Sequence, residues 1–186
     1  YPDVSVQLQV HSTRRTGWGV ANGQIDLAII GGQLPPELEN LLQITPFGTD
    51  ELALVLPSKH RLSKEKELAK EDLYTLNFVT LDSQSTTRKV VDELLKNSGL
   101  DIQRLKIEME LNSLEAIKNA VQSGLGAAFL PVVSIERELA SGTIHKPLIT
   151  DLGVKRELKL ITNPSRYTSK ASEAFKKDVL PQFSSF

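Results

Sequence analysis

The chain has 186 residues, enough to bury a sizeable core, and this length fits one large domain or two small ones. Its 22 basic and 23 acidic residues give a net charge of −1, so there is no overall basic field for holding nucleic acid. The lack of cysteine excludes disulfides, a thiolate nucleophile and cysteine-ligated metal sites, and no apolar run approaches the ~20 residues that span a bilayer.

The chain opens with a pattern typical of a strand, a helix and a second strand. Residues 4–10, VSVQLQV, alternate strictly between apolar and polar side chains and predict a half-exposed strand. The helix-cap stretch HST follows at 11–13, and Gly23 is predicted to end the helix that begins there. Residues 25–30, IDLAII, are nearly all apolar and predict a strand covered on both faces.

The same pattern returns 101 residues later. Residues 112–131 read NSLEAIKNAVQSGLGAAFLP, and aligning them without gaps on residues 11–30 places Ser113 on Ser12 and Gly124 on Gly23. The repeat predicts two halves of similar build rather than one large domain.

The second half is more complete than the first. Residues 77–99 predict a short strand, a cap-rich turn and a helix closed by Gly99, with Val90, Val91, Leu94 and Leu95 on one helix face. Residues 105–111 alternate, which predicts an edge strand with Ile107, Met109 and Leu111 opposed to Lys106, Glu108 and Glu110. Together with residues 112–131 this makes a β-α-β-α-β half whose middle strand lies at the edge, the 2-1-3 order of a doubly wound sheet.

The remaining segments connect the halves. Residues 50–57 and 155–162 are strand-like and predict two crossings, and residues 168–183 predict a C-terminal helix that packs on the first half. Residues 58–74 carry both charge signs and predict a solvated turn and short helix. The repeat offset would put the counterparts of the strand and helix at 77–99 before residue 1, so we expect the first half to lack its opening strand and helix.

No grouping of side chains predicts catalysis or metal binding. The three histidines are far apart and lack metal-ligand spacing, and Ser85 has no G-x-S-x-G setting that would make it a nucleophile. Glu108 and Glu110 share a strand face, which favours solvent or interface positions over an acid/base pair. We therefore expect no catalytic residue, no metal ligand and no cofactor.

Three predicted helix starts are rich in small polar residues, at 11–13, 83–87 and 112–113. In doubly wound sheets ligands bind beyond the carboxyl ends of the strands, and helix N-termini favour carboxylates or phosphates. Arg14, Arg15 and Arg88 lie just beyond these turns and could add charge-assisted contacts. Each turn taken alone fits an ordinary helix cap equally well, and it is the convergence of three turns that predicts an anion site.

Four stretches of the chain resemble the effector-binding domain of LysR-type transcriptional regulators. They are residues 1–32, the run DELALVLPSKHRLS, the run TLDSQSTTRKVVDELL and above all NSLEAIKNAVQSGLGAAFLP. The resemblance runs from Tyr1 to the last helix. It is greatest to the cyanobacterial and plastid branch that controls genes of RuBisCO and inorganic-carbon uptake.

The resemblance implies an α/β fold of two Rossmann-like subdomains of the periplasmic-binding-protein type II kind, joined by two crossover strands. Subdomain I would comprise residues 1–54 and 160–186, incomplete at its start, and subdomain II residues 55–159. An effector would bind in the cleft between them, and the family's contact positions match Thr13, Gln84, Ser85 and Thr86. To these we add as predicted effector contacts Ser12, Gly31, Arg88, Asn112, Ser113 and Pro131.

The resemblance also implies partners. The effector would be a small anion such as ribulose 1,5-bisphosphate, 2-phosphoglycolate or 2-oxoglutarate, and the chain would form a homodimer, with a tetramer in the full-length protein. Promoter DNA would be bound only through an N-terminal winged helix-turn-helix that this chain lacks. The compartment would be the cytoplasm or plastid stroma, with no membrane contact.

Two other functional classes share this general fold. A free solute-binding protein of a transport system is the main alternative, and an enzyme is disfavoured because no acid, base or nucleophile grouping is present. Strands 4–10 and 105–111, if both are sheet edges, predict an antiparallel homodimer with Gln7, Gln9, Glu108 and Glu110 in or beside the interface.

Overall fold

Helices and strands alternate along the chain, and the computed structural model describes residue 1, residues 3–153 and residues 155–183. The helices are α1 (Thr13–Ala21), α2 (Pro36–Glu39), α3 (Thr86–Asn97), α4 (Leu114–Gln122), α5 (Glu136–Ala140) and α6 (Lys170–Ala174). The strands are β1 (Leu27–Ile30), β2 (Gln43–Pro57), β3 (Glu67–Leu68), β4 (Asn77–Leu81), β5 (Lys106–Leu111), β6 (Ala128–Pro131), β7 (Ile144–His145), β8 (Leu148–Ile149) and β9 (Lys155–Thr162).

The chain divides into two compact units, each with its own apolar core. Unit 1 is Tyr1–Thr49 with Glu157–Phe186, and unit 2 is Asp50–Arg156. The assignment of these units as effector subdomains with the boundaries predicted from the sequence stays a prediction.

In unit 1, α1 lies against a sheet in which β9 runs between β1 and β2. β1 pairs antiparallel with β9 from Leu27 opposite Thr162 to Ile30 opposite Lys159. The buried side chains that form this core are Val20, Ile30, Leu34, Leu38, Leu42 and Ile161. Ile29 is 42% exposed, so the prediction that this strand is covered on both faces is wrong. β1 ends the strand order, and only one of its faces packs on the core.

The 101-residue repeat is confirmed. α4 and β6 begin 101 residues after α1 and β1 and have the same lengths. Each helix is followed by a glycine with positive φ, 73° at Gly23 and 84° at Gly124, because the chain must adopt a left-handed conformation to leave the helix.

Residues 4–10 do not form the predicted strand. They have no regular secondary structure, and their apolar side chains are exposed, with Leu8 89% and Val10 86% accessible. Alternation shows that a segment can present one apolar face, but a strand exists only where a neighbouring strand completes its hydrogen bonds. No described strand lies beside these residues.

Unit 2 has the predicted 2-1-3 strand order. β4 pairs with β5 in parallel on one side. On the other side it meets the chain just before β6 through one parallel bridge, Phe78 opposite Ala127. β6 continues antiparallel to β2, which also pairs with β7. α3 covers one face with Val91 and Leu95 buried and Val90 and Leu94 packed beside them, as predicted. α4 covers a second apolar cluster through Ile117 and Val121.

A β-bulge in β5 overturns the predicted face of this strand. Phe78 lies opposite Ile107, but Val79 lies opposite Met109, so Glu108 is an extra residue on the bulged strand. Ile107 packs with the cluster under α3, whereas Leu111 packs with the cluster under α4. The prediction that Ile107, Met109 and Leu111 share one face is therefore wrong, because the inserted residue reverses the alternation.

The predicted crossing strands are confirmed, since residues 50–57 belong to β2 and residues 155–162 form β9. The C-terminal helical segment belongs to unit 1 as expected, but it is not one α-helix. α6 continues as a π-helix at Phe175–Val179 and a 3-10 helix at Leu180–Phe183. Residues 58–74 contain 3-10 turns and the short strand β3.

Candidate functional site

The three polar helix starts predicted from the sequence all exist, and one differs from the others. Ser12 and Ser113 are N-caps of α1 and α4, and each hydroxyl accepts a hydrogen bond from a backbone N–H three residues on, at 3.5 Å. Ser85 is the N-cap of α3, but its side chain makes no capping hydrogen bond. The Ser85 hydroxyl is therefore not committed to its own helix.

The turn before α3 is held by the backbone and by Asp82. Asp82 Oδ1 accepts from the Gln84 N–H at 2.9 Å, and the Asp82 carbonyl accepts from the Ser85 N–H at 3.0 Å. Gln84 is exposed, and Ser85 and Thr86 are half-buried. The first turn of α3 contains no acidic residue, but the Asp82 carboxylate lies in the turn just before it.

Side chains of α4 and of its N-cap already engage the start of this helix. Asn112 is exposed and precedes the Ser113 cap, but Glu115 places a carboxylate in the first turn. Pro131, also predicted to contact the effector, is buried at the end of β6 and its carbonyl accepts from Ser134 Oγ at 2.7 Å.

Lys118 joins α4 to α5. Its Nζ lies 2.9 Å from Glu115 Oε1 and 3.1 Å from Glu138 Oε1. The hydrogen bond from Lys118 holds the pKa of Glu138 below its usual value. The hydrogen bond to Glu115 raises the pKa of Lys118. Lys118 thus links Glu115, in the first turn of α4, to Glu138 of α5.

The remaining candidates lie in unit 1. Ser12 is exposed, Thr13 is buried as the first residue of α1, and Gly31 is half-buried directly after β1. Unit 1 thus carries these three predicted residues, and unit 2 carries Gln84, Ser85, Thr86, Arg88, Asn112, Ser113 and Pro131.

Arg88 is engaged by its own unit. Its Nε donates to both carboxylate oxygens of Asp92, at 2.8 and 2.9 Å. Its Nη1 donates to Thr80 Oγ1 and to the Leu81 carbonyl, and Glu110 Oε1 lies 3.5 Å from the same nitrogen. Two carboxylates therefore balance the charge of this guanidinium, which ties α3 to the ends of β4 and β5.

The sequence did not reveal a second charged cluster beside α3. Arg156 of β9 donates from Nε and Nη2 to Asp50 Oδ2, at 3.0 and 2.6 Å, and from Nη1 to Thr87 Oγ1 at 3.0 Å. Asp50 and Arg156 are 106 residues apart, so no local spacing predicts their contact. The sequence did offer one signal, a charged residue near the start of each predicted crossing segment, Asp50 in 50–57 and Arg156 in 155–162.

Unit 2 also has a small cavity under α3, of about 30 Å³. Phe78, Ile107 and Phe129 line its apolar part, and Arg88 and Asp92 its polar part. This volume suits a water molecule rather than a metabolite. Within residues 1, 3–153 and 155–183 there is no group of three or more His, Cys, Asp or Glu side chains that could hold a metal ion. No helix in this part of the chain is both long and apolar enough to span a membrane.

Comparison with known proteins points to one family. Residues 1–183 match the model of the LysR substrate binding domain. The chain is 61% identical over 184 residues to a probable RuBisCO transcriptional regulator of Synechocystis sp., covering 99% of the chain and 53% of that protein. It is 61% identical over 183 residues to a protein of the same name from Trichormus variabilis, covering 98% of the chain and 54% of that protein. The chain thus spans about half the length of these curated relatives.

Solved structures of the same kind share the fold. The Synechocystis CcmR regulatory domain in complex with 2-PG superposes with a TM-score of 0.83 at 25% identity, covering 100% of this chain and 86% of that one. The effector-binding domain of QuiR in complex with shikimate gives a TM-score of 0.76 at 23% identity, covering 92% and 78%. These likenesses confirm the predicted α/β fold of the periplasmic-binding-protein type.

Proposed function

Because the chain belongs to the LysR substrate-binding domain family, we propose that it is the effector-sensing domain of a transcriptional regulator and that it binds a small anionic metabolite at the start of α3. The direct contacts in unit 2 are the α3 turn residues Gln84, Ser85 and Thr86. The other residues predicted to contact the effector stay predictions: Asn112, Ser113 and Pro131 in unit 2, and Ser12, Thr13 and Gly31 in unit 1.

One observation carries the choice of α3. Ser85 is an N-cap whose hydroxyl does not cap, whereas the serines that begin α1 and α4 do. The Ser85 hydroxyl and the N–H groups of the first turn, which itself contains no acidic residue, can together donate hydrogen bonds to an oxyanion. Arg88, predicted to contact the effector, acts in this proposal by holding α3 on the sheet through Asp92 and the end of β4.

The proposed effector class is a phosphorylated or dicarboxylic acid of carbon metabolism. The relatives named as probable RuBisCO regulators support the choice of pathway. CcmR, whose regulatory domain was solved with 2-PG, supports the choice of 2-phosphoglycolate as the first candidate, ahead of ribulose 1,5-bisphosphate and 2-oxoglutarate. The role is binding without turnover, in the cytoplasm or plastid stroma.

Effector binding regulates only if the ligand favours one of two states of the regulator. We place the DNA contact of the proposed regulator outside residues 1–186, because a net charge of −1 gives little counterion release. A gel shift at low salt should show no sequence-selective retention of DNA by this chain.

A homodimer, and a tetramer of the longer protein, belong to the same proposal, and light scattering of the chain at micromolar concentration tests the dimer.

Calorimetry with 2-phosphoglycolate, ribulose 1,5-bisphosphate and 2-oxoglutarate tests the binding function. We expect at least one to bind the unaltered chain, and Thr86→Ala to weaken that binding. Ser169→Ala is the matched control, because Ser169 also begins a helix and caps it, with Oγ 3.1 Å from the Ser172 nitrogen, but lies outside the proposed site. Absence of binding by all three anions, or equal affinities of Thr86→Ala and Ser169→Ala, would contradict the proposal.

A further inference from the structure

We propose that Arg156 is a further contact for the anion at the start of α3, and that buried Asp50 holds Arg156 in position for it. The inference rests on the proposed function and adds to it a charged residue that the sequence did not reveal. It also narrows the proposed ligands to anions with a phosphoryl group or another oxyanionic group of similar negative charge.

Arg156 reaches the first turn of α3 directly. Its Nη1 donates to the hydroxyl of Thr87, the second residue of the helix, at 3.0 Å. Thr87 directly follows Thr86, so the guanidinium lies beside the turn that the proposed function assigns to the ligand. The bond fixes the guanidinium relative to the helix start.

The donor capacity of Arg156 exceeds its present contacts. An arginine side chain carries five N–H hydrogens in a planar fork, and the bonds to Asp50 and Thr87 use one on Nε, one on Nη1 and one on Nη2. Within the described residues, one hydrogen on Nη1 and one on Nη2 have no other hydrogen-bond partner. The side chain is 16% exposed, and a guanidinium can bind an oxyanion through two N–H groups at once.

Asp50 supplies the second observation. Its side chain is only 6% exposed, and both bonds from Arg156 go to Oδ2. Oδ1 is buried and has no hydrogen-bond partner in the described part of the chain. A buried carboxylate oxygen without a donor lowers stability. The Asp50–Arg156 pair is therefore better explained by the orientation of Arg156 for a ligand than by a purely structural role.

The charge balance distinguishes Arg156 from Arg88. Arg88 faces two carboxylates, those of Asp92 and Glu110, whereas among the described residues Arg156 forms an ion pair with Asp50 alone. An incoming anion therefore meets less opposing negative charge at Arg156. A phosphoryl group, with three terminal oxygens, can accept from this fork and from the α3 turn at once.

The test compares variants that keep the buried site neutral. Arg156→Gln alone would leave Asp50 buried without its partner and could prevent folding, so the main variant is Asp50→Asn combined with Arg156→Gln. It should keep the unfolding transition of the unaltered chain and bind 2-phosphoglycolate roughly ten- to hundredfold more weakly, the scale of one charge-assisted contact.

Asp50→Asn alone separates orientation from simple electrostatics. Removing a negative charge should strengthen anion binding if only charge matters, whereas loss of the orienting carboxylate should weaken it. We expect affinity for 2-phosphoglycolate to fall in this variant. A rise in affinity would overturn the role assigned to Asp50.

A second readout distinguishes this inference from the proposed function. The Nε–Hε resonance of Arg156, assigned by its absence in the double variant, should shift when the chain is titrated with inorganic phosphate. A phosphate-dependent shift without 2-phosphoglycolate binding supports Arg156 and refutes the proposed ligand. Unchanged 2-phosphoglycolate affinity in the double variant, with loss of affinity in Thr86→Ala, refutes Arg156 and leaves the proposed function standing.

Discussion

Gly126 is the position where we expect a single added methyl group to be most damaging. A Cβ built on it would lie 2.7 Å from the Asn77 carbonyl oxygen and 3.1 Å from Val79 Cγ2. The first of these atoms is backbone and cannot rotate away. Relief of the clash requires the chain before β6 to move from β4, which stretches the two bonds that join them, Ala127 N–H to the Asn77 carbonyl and Val79 N–H to the Ala127 carbonyl, both 2.8 Å.

The expected cost of Gly126→Ala follows from these contacts. Two weakened backbone hydrogen bonds contribute about 1–3 kcal/mol, and overpacking of a tight contact adds about 1–3 kcal/mol. Urea unfolding followed by circular dichroism should therefore show a loss of about 2–6 kcal/mol. Gly153→Ala is the matched control, because its added Cβ would meet no atom within 4 Å. If Gly126→Ala and Gly153→Ala unfold at the same urea concentration, the role given to the close approach of Gly126 to β4 is refuted.

Two further predictions concern a helix cap and pH. Ser113→Ala should lower the free energy of unfolding by about 1 kcal/mol because this hydroxyl caps α4, whereas Ser85→Ala should leave stability unchanged because that hydroxyl makes no cap; equal losses in denaturant titrations would contradict the distinction. The hydrogen bond from Lys118 depresses the pKa of Glu138. The bond therefore stabilises the fold above the usual Glu138 pKa of 4.5, and this stabilisation is lost as the pH falls through the depressed pKa. Lys118→Met should therefore make the acid side of the stability curve shallower, and an unchanged curve would count against the pair.

Local patterns predicted the elements whose causes are local. The repeat at 11–30 and 112–131 gave both helices with their caps, because a cap serine, an apolar stripe and a terminal glycine act within a few residues of one another. The helix after Ser85 and its buried face were predicted for the same reason. The 2-1-3 order followed from the contrast between an alternating strand and a continuously apolar one.

The failures share a non-local cause. Residues 4–10 alternate perfectly, but they have no described strand beside them, and pairing decides whether such a segment becomes a strand. The bulge at Glu108 depends on how β5 fits β4, which the alternation of β5 alone does not contain. The Asp50–Arg156 pair joins residues 106 positions apart, and only the neighbouring course of β2 and β9 brings them together.

Arg88, which the sequence predicts as an anion contact, yields the last prediction. Its side chain is bonded to a carboxylate four residues later and to the end of β4. A lysine keeps the charge but cannot reach Asp92, Thr80 and the Leu81 carbonyl together. Arg88→Lys should therefore lower the free energy of unfolding by about 1–3 kcal/mol because its acceptors lose their donor. Its affinity for 2-phosphoglycolate, measured where the variant is fully folded, should stay within twofold of that of the unaltered chain. Calorimetry and urea unfolding measure the two quantities on one sample. A variant as stable as the unaltered chain that binds the anion tenfold more weakly would show that the guanidinium meets the ligand and that its bonds to Asp92 and β4 are incidental.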